Sequence, residues 1–213
     1  MKCGVIFDLD GTLWDASEQI FESWDMVLRR RFPGEKELTR AELAGYMGKT
    51  GDEIRRLMMP ARCTPEECAD AMQECFDEEL RYLVTHPGTL YPAVRETLQE
   101  MQKRWSLMID SNCQNGYVQT FLETQSLGSC FADFEMAGRS HYTKGTNARL
   151  LMERNGLERA VFVGDTAGDF AAAQEAGLPF IFAAYGFGTV EDAEHIAHTF
   201  ADIPALAAKL LAE

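Results

Sequence analysis

The sequence predicts an α/β fold: a parallel β-sheet core flanked by helices, with a separate helical segment inserted into it. Three observations lead to this prediction. The 213-residue chain opens with a short apolar run that ends in acidic residues, its second half alternates strand-like and helix-like segments, and residues 15–85 show helical periodicity. Alternating strands and helices are typical of a parallel sheet with right-handed crossovers. The length suits one domain with a modest insertion.

The first strand is predicted at residues 3–7, directly before Asp8 and Asp10. In a strand, side chains two residues apart point to the same face. Unpaired carboxylates are costly inside a sheet, so we expect both at the carboxyl end of a buried strand, where open α/β sheets place ligands. Gly11 then lets the backbone turn close to a bound group. The alternative is that the aspartates only cap a turn.

Residues 15–85 are predicted to form a helical cap inserted into a core of residues 1–14 and 86–213. Apolar residues recur there at three- and four-residue spacing, as in Phe21, Trp24 and Leu28. The pattern predicts helices at residues 17–31, 40–46, 52–58 and 65–84. No strand-like segment interrupts this stretch, and for that reason it is separated from the alternating remainder.

The remainder predicts a Rossmann-like α/β core. Pro92 suits the first turn of a helix, and Asn155-Gly156 is a helix C-terminal signal. Helices are predicted at residues 92–104, 115–124 and 144–155, in an alanine-rich segment ending at 176, and from 204 onward. Strands are predicted at residues 106–110, near 134, at 160–164 and at 179–183.

Four short motifs lie in order along this core. The segment DLDGTL at residues 8–13 is followed by an apolar strand ending in Ser111, by Lys144 at a helix start, and by GDTAGD at residues 164–169. Together they resemble the four motifs of the haloacid dehalogenase (HAD) superfamily, in its phosphoglycolate-phosphatase-like and β-phosphoglucomutase-like group with a helical cap. One departure is Gly145, where many members of that superfamily have proline.

The resemblance implies a magnesium-dependent phosphatase that acts on a small phosphorylated metabolite through an aspartyl-phosphate. Asp8 would be the nucleophile, and Asp10 would protonate the leaving group and then activate water. Ser111 and Lys144 would complete the catalytic set. Phosphate oxygens would be bound by Ser111 and Lys144 together with Gly11, Thr12 and Asn112.

The acidic residues imply a metal, because they would otherwise repel a phosphate dianion. Magnesium prefers carboxylate, carbonyl and water oxygens. The resemblance implies Asp8, the main-chain carbonyl of Asp10, and Asp165 as direct ligands. Asp169 is expected to align these ligands or to hold Lys144. Its alternative role is that of an acid at a helix N-terminus.

Substrate choice is predicted to involve the loop at residues 47–51, between two cap helices. Gly48 permits a close turn, Lys49 would pair with an anionic part of the leaving group, and Arg55 would assist. The alternative is a solvated Lys49. Residues 48–50 end like a Walker A loop, but Leu43 stands where that motif needs glycine, and no strand precedes it.

Composition excludes several partners. The net charge of −14 disfavours nucleic acid and anionic membranes. No stretch of 18 apolar residues and no N-terminal apolar h-region occurs, so we expect a cytoplasmic protein. The six cysteines are expected to be free thiols, and His195 and His198 to be solvated. A less favoured alternative is a zinc site formed by Cys63, Cys68, Cys75 and His86.

Two other functions share the motifs. A sugar phosphomutase has the same residues and differs in its cap and in protecting the aspartyl-phosphate from water. A non-catalytic phospho-ligand or protein-binding module would keep the fold alone, although the intact motifs count against it. A dehalogenase is disfavoured, because those relatives lack the acid/base aspartate that Asp10 provides.

Overall fold

A computed structural model describes residues 2–212 of the chain. Its strands are β1 (Cys3–Phe7), β2 (Trp14–Asp15), β3 (Thr89–Leu90), β4 (Ser106–Ser111), β5 (Asp133–Met136), β6 (Arg159–Gly164), β7 (Phe180–Ala183) and β8 (Ile196–Ala197). Within the described range, six of them form one parallel sheet in the order β5-β4-β1-β6-β7-β8. The prediction of an α/β fold with a parallel, Rossmann-like sheet is confirmed.

The central position of β1 follows from its composition. Val5, Ile6 and Phe7 are fully buried, and a continuous apolar run is typical of a parallel strand covered on both faces. Successive side chains of β1 point to opposite faces of the sheet and therefore pack in different apolar cores. Val5 and Phe7 belong to the larger apolar core, whereas Ile6 packs in a second core with Leu151 and Phe162.

The helices lie close to the predicted segments, except for one short helix at residues 137–140 that was not predicted. They are α1 (Ser17–Arg31), α2 (Arg40–Tyr46), α3 (Gly51–Met58), α4 (Pro65–Thr85), α5 (Val94–Met101), α6 (Tyr117–Thr124), α7 (Ala137–Ser140), α8 (Lys144–Arg154), α9 (Ala167–Ala176) and α10 (Ile203–Ala212). Helix α8 packs against α9 and β5 on one face of the sheet, while α10 packs against β6 and β7.

Helices α1 to α4 occupy the segment predicted as a cap. Helix α1 packs along α4, where the rings of Trp24 and Phe76 meet edge to face with their centroids 6.1 Å apart. Three of these helices begin with a capping box, in which a threonine and a glutamate three residues later satisfy each other's backbone N–H groups. The pairs are Thr39 with Glu42, Thr50 with Glu53, and Thr64 with Glu67.

Two short elements at the base of this segment were not predicted. Strands β2 and β3 pair antiparallel, with Trp14 opposite Leu90 and Asp15 opposite Thr89. Two-residue strands carry too little periodicity to be recognised in a sequence. They lie at the two proposed boundaries, but the division into residues 15–85 and the rest remains a prediction. No helix of residues 2–212 has the length and apolar character needed to cross a membrane.

Candidate active site

The acidic and polar motif residues meet at the carboxyl edge of the sheet. Asp8 follows β1, Ser111 ends β4 and Asp165 follows β6, and β1 lies between the other two strands. The backbone N–H of Asp8 donates to the carbonyl of Val163, 2.8 Å away, which extends the β1–β6 pairing past the end of the strand. All three functional side chains are buried. The predicted position of the Asp8 and Asp10 pair, at the end of a buried strand, is therefore what the structure shows.

The expectation that Asp8 and Asp10 share one face of a strand is wrong. Strand β1 ends at Phe7, so Asp8 and Asp10 do not share a strand face. The chain instead leaves the sheet, and Asp10 forms an isolated bridge with Trp14. Gly11 has a positive φ of 84°, and a Cβ there would lie 2.2 Å from an Asp165 carboxylate oxygen. The tight turn that brings both aspartates to one cavity therefore requires glycine at this position.

Lys144, at the start of α8, joins two of the motifs. Its Nζ donates hydrogen bonds to Asp8 Oδ1 and Asp169 Oδ1, and all three side chains are buried. Burial lowers the pKa of Lys144, but the Asp169 and Asp8 carboxylates outweigh it and hold the pKa above its ordinary value. Burial and Asp169 raise the pKa of Asp8 to about 8, an effect that Lys144 opposes.

Asp169 performs both of the tasks that the sequence left open. Its Oδ1 accepts from Lys144, and its Oδ2 accepts from the backbone N–H of Thr166 at 2.9 Å and from the Thr166 hydroxyl at 2.6 Å. The second set of bonds closes a capping box at the start of α9. The start of this helix therefore fixes the carboxylate that holds the lysine.

Asp165 is held by donors on two loops. The Thr12 hydroxyl donates to Oδ1 at 3.3 Å, and the backbone N–H of Phe187 donates to Oδ2 at 2.8 Å. Burial and Asp169 raise the pKa of Asp165 to about 7. Thr12 is fully buried, so the structure places its hydroxyl behind Asp165, whereas the sequence predicted it as a phosphate ligand.

Asp10 is oriented by two aromatic donors that the sequence analysis did not identify. The Tyr117 hydroxyl and Trp14 Nε1 both donate to Asp10 Oδ1, at 2.7 Å and 2.9 Å. Burial raises the pKa of Asp10 to about 7, and the Tyr117 and Trp14 hydrogen bonds lower it. A carboxyl group with a pKa near neutrality is suited to proton transfer in both directions.

The acidic cluster has the chemistry of a magnesium site. Carboxylate oxygens of Asp8, Asp165 and Asp169 lie within 4.8 Å of one another. They are hard oxygen donors in a buried site where Lys144 is the basic side chain in contact with them, so a divalent cation would balance their charge. Among residues 2–212 no other group of potential metal ligands has this spacing, and the cysteine and histidine zinc alternative is not supported.

A small cavity lies between the cap helices and the side chains of Asp8 and Asp10. Its volume is about 60 Å³, room for about four waters at ~15 Å³ each. Asp8, Asp10, Ser111 and Asn112 line its core side, together with Cys113, Gln114 and Tyr117. Ile20, Trp24, Leu43, Tyr46, Ile54, Phe76 and Glu79 line its cap side, together with the loop residues Met47, Gly48, Lys49 and Gly51.

The loop at residues 47–51 lies over the cavity, as its glycine-containing sequence predicted. Gly48 has a positive φ of 78°, and its carbonyl accepts from Asn112 Nδ2 at 2.9 Å. This bond links the cap to the loop after β4, so Asn112 has a role in closing the cavity. Arg55 is not brought to the cavity. It lines an adjoining cleft that shares Asn112 and Gln114 with the cavity, and its guanidinium pairs with Asp52.

The sequence analysis missed four side chains at the site: Trp14, which donates to Asp10, and Glu79, Gln114 and Tyr117, which line the cavity. Glu79 and Tyr117 lie on helices, and Gln114 lies just before one. The apolar periodicity of these helices indicated core packing and gave no sign of a functional site. Glu79 carried the best available signal, because it falls between Phe76, Leu80 and Leu83 on the apolar side of α4, where a charged residue is unusual.

The chain matches the family described as haloacid dehalogenase-like hydrolase over residues 5–183. It is 32% identical to a phosphoglycolate phosphatase of Rhodobacter capsulatus, in an alignment covering 97% of this chain and 95% of that protein. It is 30% identical to a phosphoglycolate phosphatase of Vibrio vulnificus strain CMCP6, over 86% of this chain and 84% of that protein. The resemblance inferred from the four motifs is therefore confirmed.

Solved structures share the fold at lower sequence identity. A haloacid dehalogenase-like hydrolase from Streptococcus pneumoniae superposes with a TM-score of 0.83 at 20% identity, covering 97% of this chain and 98% of that one. A structure described as a predicted phosphoglycolate phosphatase from Haemophilus somnus 129PT gives 0.78 at 21% identity, covering 95% and 96%. These likenesses support the sheet and helix arrangement.

The metal-free protein should lose stability as the pH rises. The pKa values of Asp8, Asp10 and Asp165 are raised to about 7 or 8 from an ordinary 3.8. The folded protein therefore retains protons that the unfolded chain has already released, so the free energy of unfolding falls between about pH 4 and pH 8. Urea unfolding with EDTA at about pH 5 and about pH 8 measures this fall.

A substitution in the cluster identifies its source. Asp165→Asn should reduce the fall, because it removes one buried acid and its repulsion of Asp8. Asp77→Asn, at an exposed position of α4, should leave the fall unchanged. An equal fall in Asp165→Asn and the parent protein would contradict a contribution from the cluster.

Proposed function

Because the chain belongs to the haloacid dehalogenase-like hydrolase family, we propose that it is a magnesium-dependent phosphatase of a small phosphorylated metabolite, working through an aspartyl-phosphate. Phosphatase activity at this general level is supported by its phosphoglycolate phosphatase relatives. The observation that carries the mechanism is the buried arrangement in which Lys144 holds Asp8 and Asp169 beside Asp165. No specific observation in the described residues favours the phosphomutase or the non-catalytic alternative.

Asp8 is the proposed nucleophile. One carboxylate oxygen attacks phosphorus, the bond from phosphorus to the ester oxygen breaks, and the phosphoryl group is transferred to Asp8. Lys144 fixes the carboxylate through Oδ1, and its positive charge lies where the phosphate oxygens gather. Ser111, which lines the same cavity, is positioned to donate its hydroxyl hydrogen to a phosphate oxygen.

Asp10 is the proposed proton carrier. In the first step it gives its proton to the departing alkoxide, and in the second it takes a proton from the water that attacks the aspartyl-phosphate. Hydrolysis then releases inorganic phosphate and returns both aspartates to their initial state. The Tyr117 and Trp14 hydrogen bonds to Oδ1 hold the carboxyl group in place through both steps.

Magnesium would be held by Asp8 and Asp165 and by the main-chain carbonyl of Asp10, with Asp169 orienting the group through Lys144. When bound, it would supply the positive charge that lets a phosphate dianion approach these carboxylates. Lys49, on the cavity wall, would contact an anionic part of the leaving group where the substrate carries one.

Removing the nucleophile tests the mechanism. Asp8→Asn keeps the side-chain volume and should lower kcat for p-nitrophenyl phosphate by about a thousandfold or more, because the amide is not a competent nucleophile. Phosphate release in magnesium buffer measures this. Asp77→Asn serves as the matched surface control and should retain full activity. Substantial turnover by folded Asp8→Asn would contradict the covalent mechanism.

Magnesium should stabilise the fold. A cation that binds the folded state alone adds about 2.7 kcal/mol at a hundredfold excess over its Kd. We expect the Tm at about pH 8 to rise when excess MgCl2 replaces EDTA, with most of the rise lost in Asp165→Asn and retained in Asp77→Asn. An identical Tm of the parent protein in both buffers would argue against a magnesium site.

Tyr117 is proposed to position Asp10. Tyr117→Phe removes one of its two donors and should lower kcat about tenfold, with KM changed less than about twofold, since proton transfer depends on this geometry. Tyr142→Phe, at a largely exposed tyrosine, is the control. A raised KM with unchanged kcat would instead assign Tyr117 to substrate binding.

A further inference from the structure

The cap side of the cavity contains a buried carboxyl group that the mechanism does not use. Glu79, on α4, is 2% exposed and lines the cavity opposite the catalytic aspartates. Most of the cap wall around it is apolar, including Ile20, Leu43 and Phe76. Burying a carboxyl group in such a wall costs free energy unless polar groups contact it. Its position therefore calls for an explanation beyond packing.

One Glu79 oxygen has a protein partner. Trp24 Nε1 donates to Oε2 at 2.7 Å, and Trp24 is itself buried. This bond fixes the carboxyl group at the cavity wall, because the indole ring is held edge to face against Phe76. With Oε2 occupied by the indole N–H, Oε1 is the Glu79 oxygen that can serve a group inside the cavity.

A second polar side chain lies beside Glu79 on the core side. Gln114, in the loop after β4, lines the same cavity, and its Nε2 is buried without a hydrogen-bond partner among residues 2–212. Burial raises the pKa of Glu79 to about 8, and hydrogen bonding from the Trp24 and Gln114 side chains lowers it, so the Gln114 amide lies next to the carboxyl group but outside the distance and angles of a full hydrogen bond. A buried N–H group without a partner is costly and marks a place where a ligand atom can bind.

The two side chains together specify one chemical group. Gln114 Nε2 needs an acceptor, while Glu79 offers an acceptor when ionised and an O–H donor when neutral. A hydroxyl group satisfies both side chains in either state of Glu79. An ammonium group would leave the Gln114 N–H unpaired, a carboxylate would pair with neutral Glu79 but be repelled once Glu79 ionises, and a methyl group would leave both without partners.

We propose that Glu79 and Gln114 bind a hydroxyl group on the leaving group, so that the protein prefers phosphate monoesters of polyols or sugars to those of simple alcohols. This inference rests on the proposed phosphatase function and adds its substrate class. Glu79 and Gln114 are specificity residues that contact the leaving group and take no part in phosphoryl transfer.

Matched substrates test the proposal. Two-carbon and three-carbon alkyl phosphates that differ in the terminal group are compared: hydroxyl, methyl, carboxylate (phosphoglycolate in the two-carbon set) and ammonium (phosphoethanolamine). The hydroxyl ester of at least one length should have the highest kcat/KM, exceeding its methyl analogue about tenfold or more, as expected for one or two hydrogen bonds. Equal values for hydroxyl and methyl esters, or a preference for carboxylate or ammonium, would overturn it.

Variants show which residues produce the preference. Glu79→Leu and Gln114→Leu should each bring the hydroxyl-to-methyl ratio of kcat/KM close to 1. Glu79→Gln, which keeps a partner for Trp24 and a donor for the hydroxyl, should retain most of the ratio. Glu78→Leu, the neighbouring position paired with Arg81 on the outer side of α4, is the control and should leave the ratio unchanged.

The outcomes separate this inference from the proposed function. If the parent protein does not hydrolyse p-nitrophenyl phosphate with magnesium, or Asp8→Asn hydrolyses it equally well, the phosphatase mechanism itself fails. If hydrolysis depends on Asp8 but Gln114→Leu and folded Glu79→Leu keep the parent ratio, the specificity assignment alone fails. Should Glu79→Leu not fold, Gln114→Leu decides the result, with Glu79→Gln as the variant expected to keep the preference.

Discussion

The buried ammonium group of Lys144 stabilises a cluster of carboxylates that would otherwise repel one another. Asp8, Asp165 and Asp169 are buried within a few ångströms of one another, and Lys144 contacts two of them directly. Burial penalises each charge, and each carboxylate raises the pKa of its neighbours. A fold built around this cluster must supply hydrogen-bond donors to the carboxylates, and it leaves a net negative charge that a cation can balance. The local geometry of the site follows from these two requirements.

Backbone geometry meets the first requirement. The N-terminal turn of α9 supplies donors to Asp169, and the backbone N–H of Phe187 supplies one to Asp165. Because the backbone passes so close to Asp165 and Asp169, the neighbouring glycines have no room for a side chain. A Cβ at Gly11 or Gly186 would meet Asp165 at 2.2 to 2.4 Å, and one at Gly164 would meet Asp169 at 2.4 Å. The glycines of the motifs are therefore needed because the carboxylates occupy the space beside them.

The core and the cap contribute different chemistry to the cavity. The core side carries Asp8 and Asp10, on loops anchored by the sheet. The cap side is mostly apolar, with Glu79 as its buried charged residue and Lys49 at its loop. The Asn112 bond to the Gly48 carbonyl joins the two sides next to Ser111. Under the proposed function, the leaving-group site can therefore change without altering the groups proposed for phosphoryl transfer.

The sequence by itself determined the sheet, most helix boundaries and the motif residues at the carboxyl edge, because these depend on local patterns. Apolar runs, capping boxes and strand-terminal acids are each encoded within a few residues. Only the tertiary structure decided that Tyr117 and Trp14 hold Asp10, that Thr12 supports Asp165, that Arg55 lies outside the cavity, and that Glu79 and Gln114 lie side by side on its wall. These contacts join residues distant in the chain or depend on which way a helix turns its side chains. Spacing along a single sequence carries no information about such pairings.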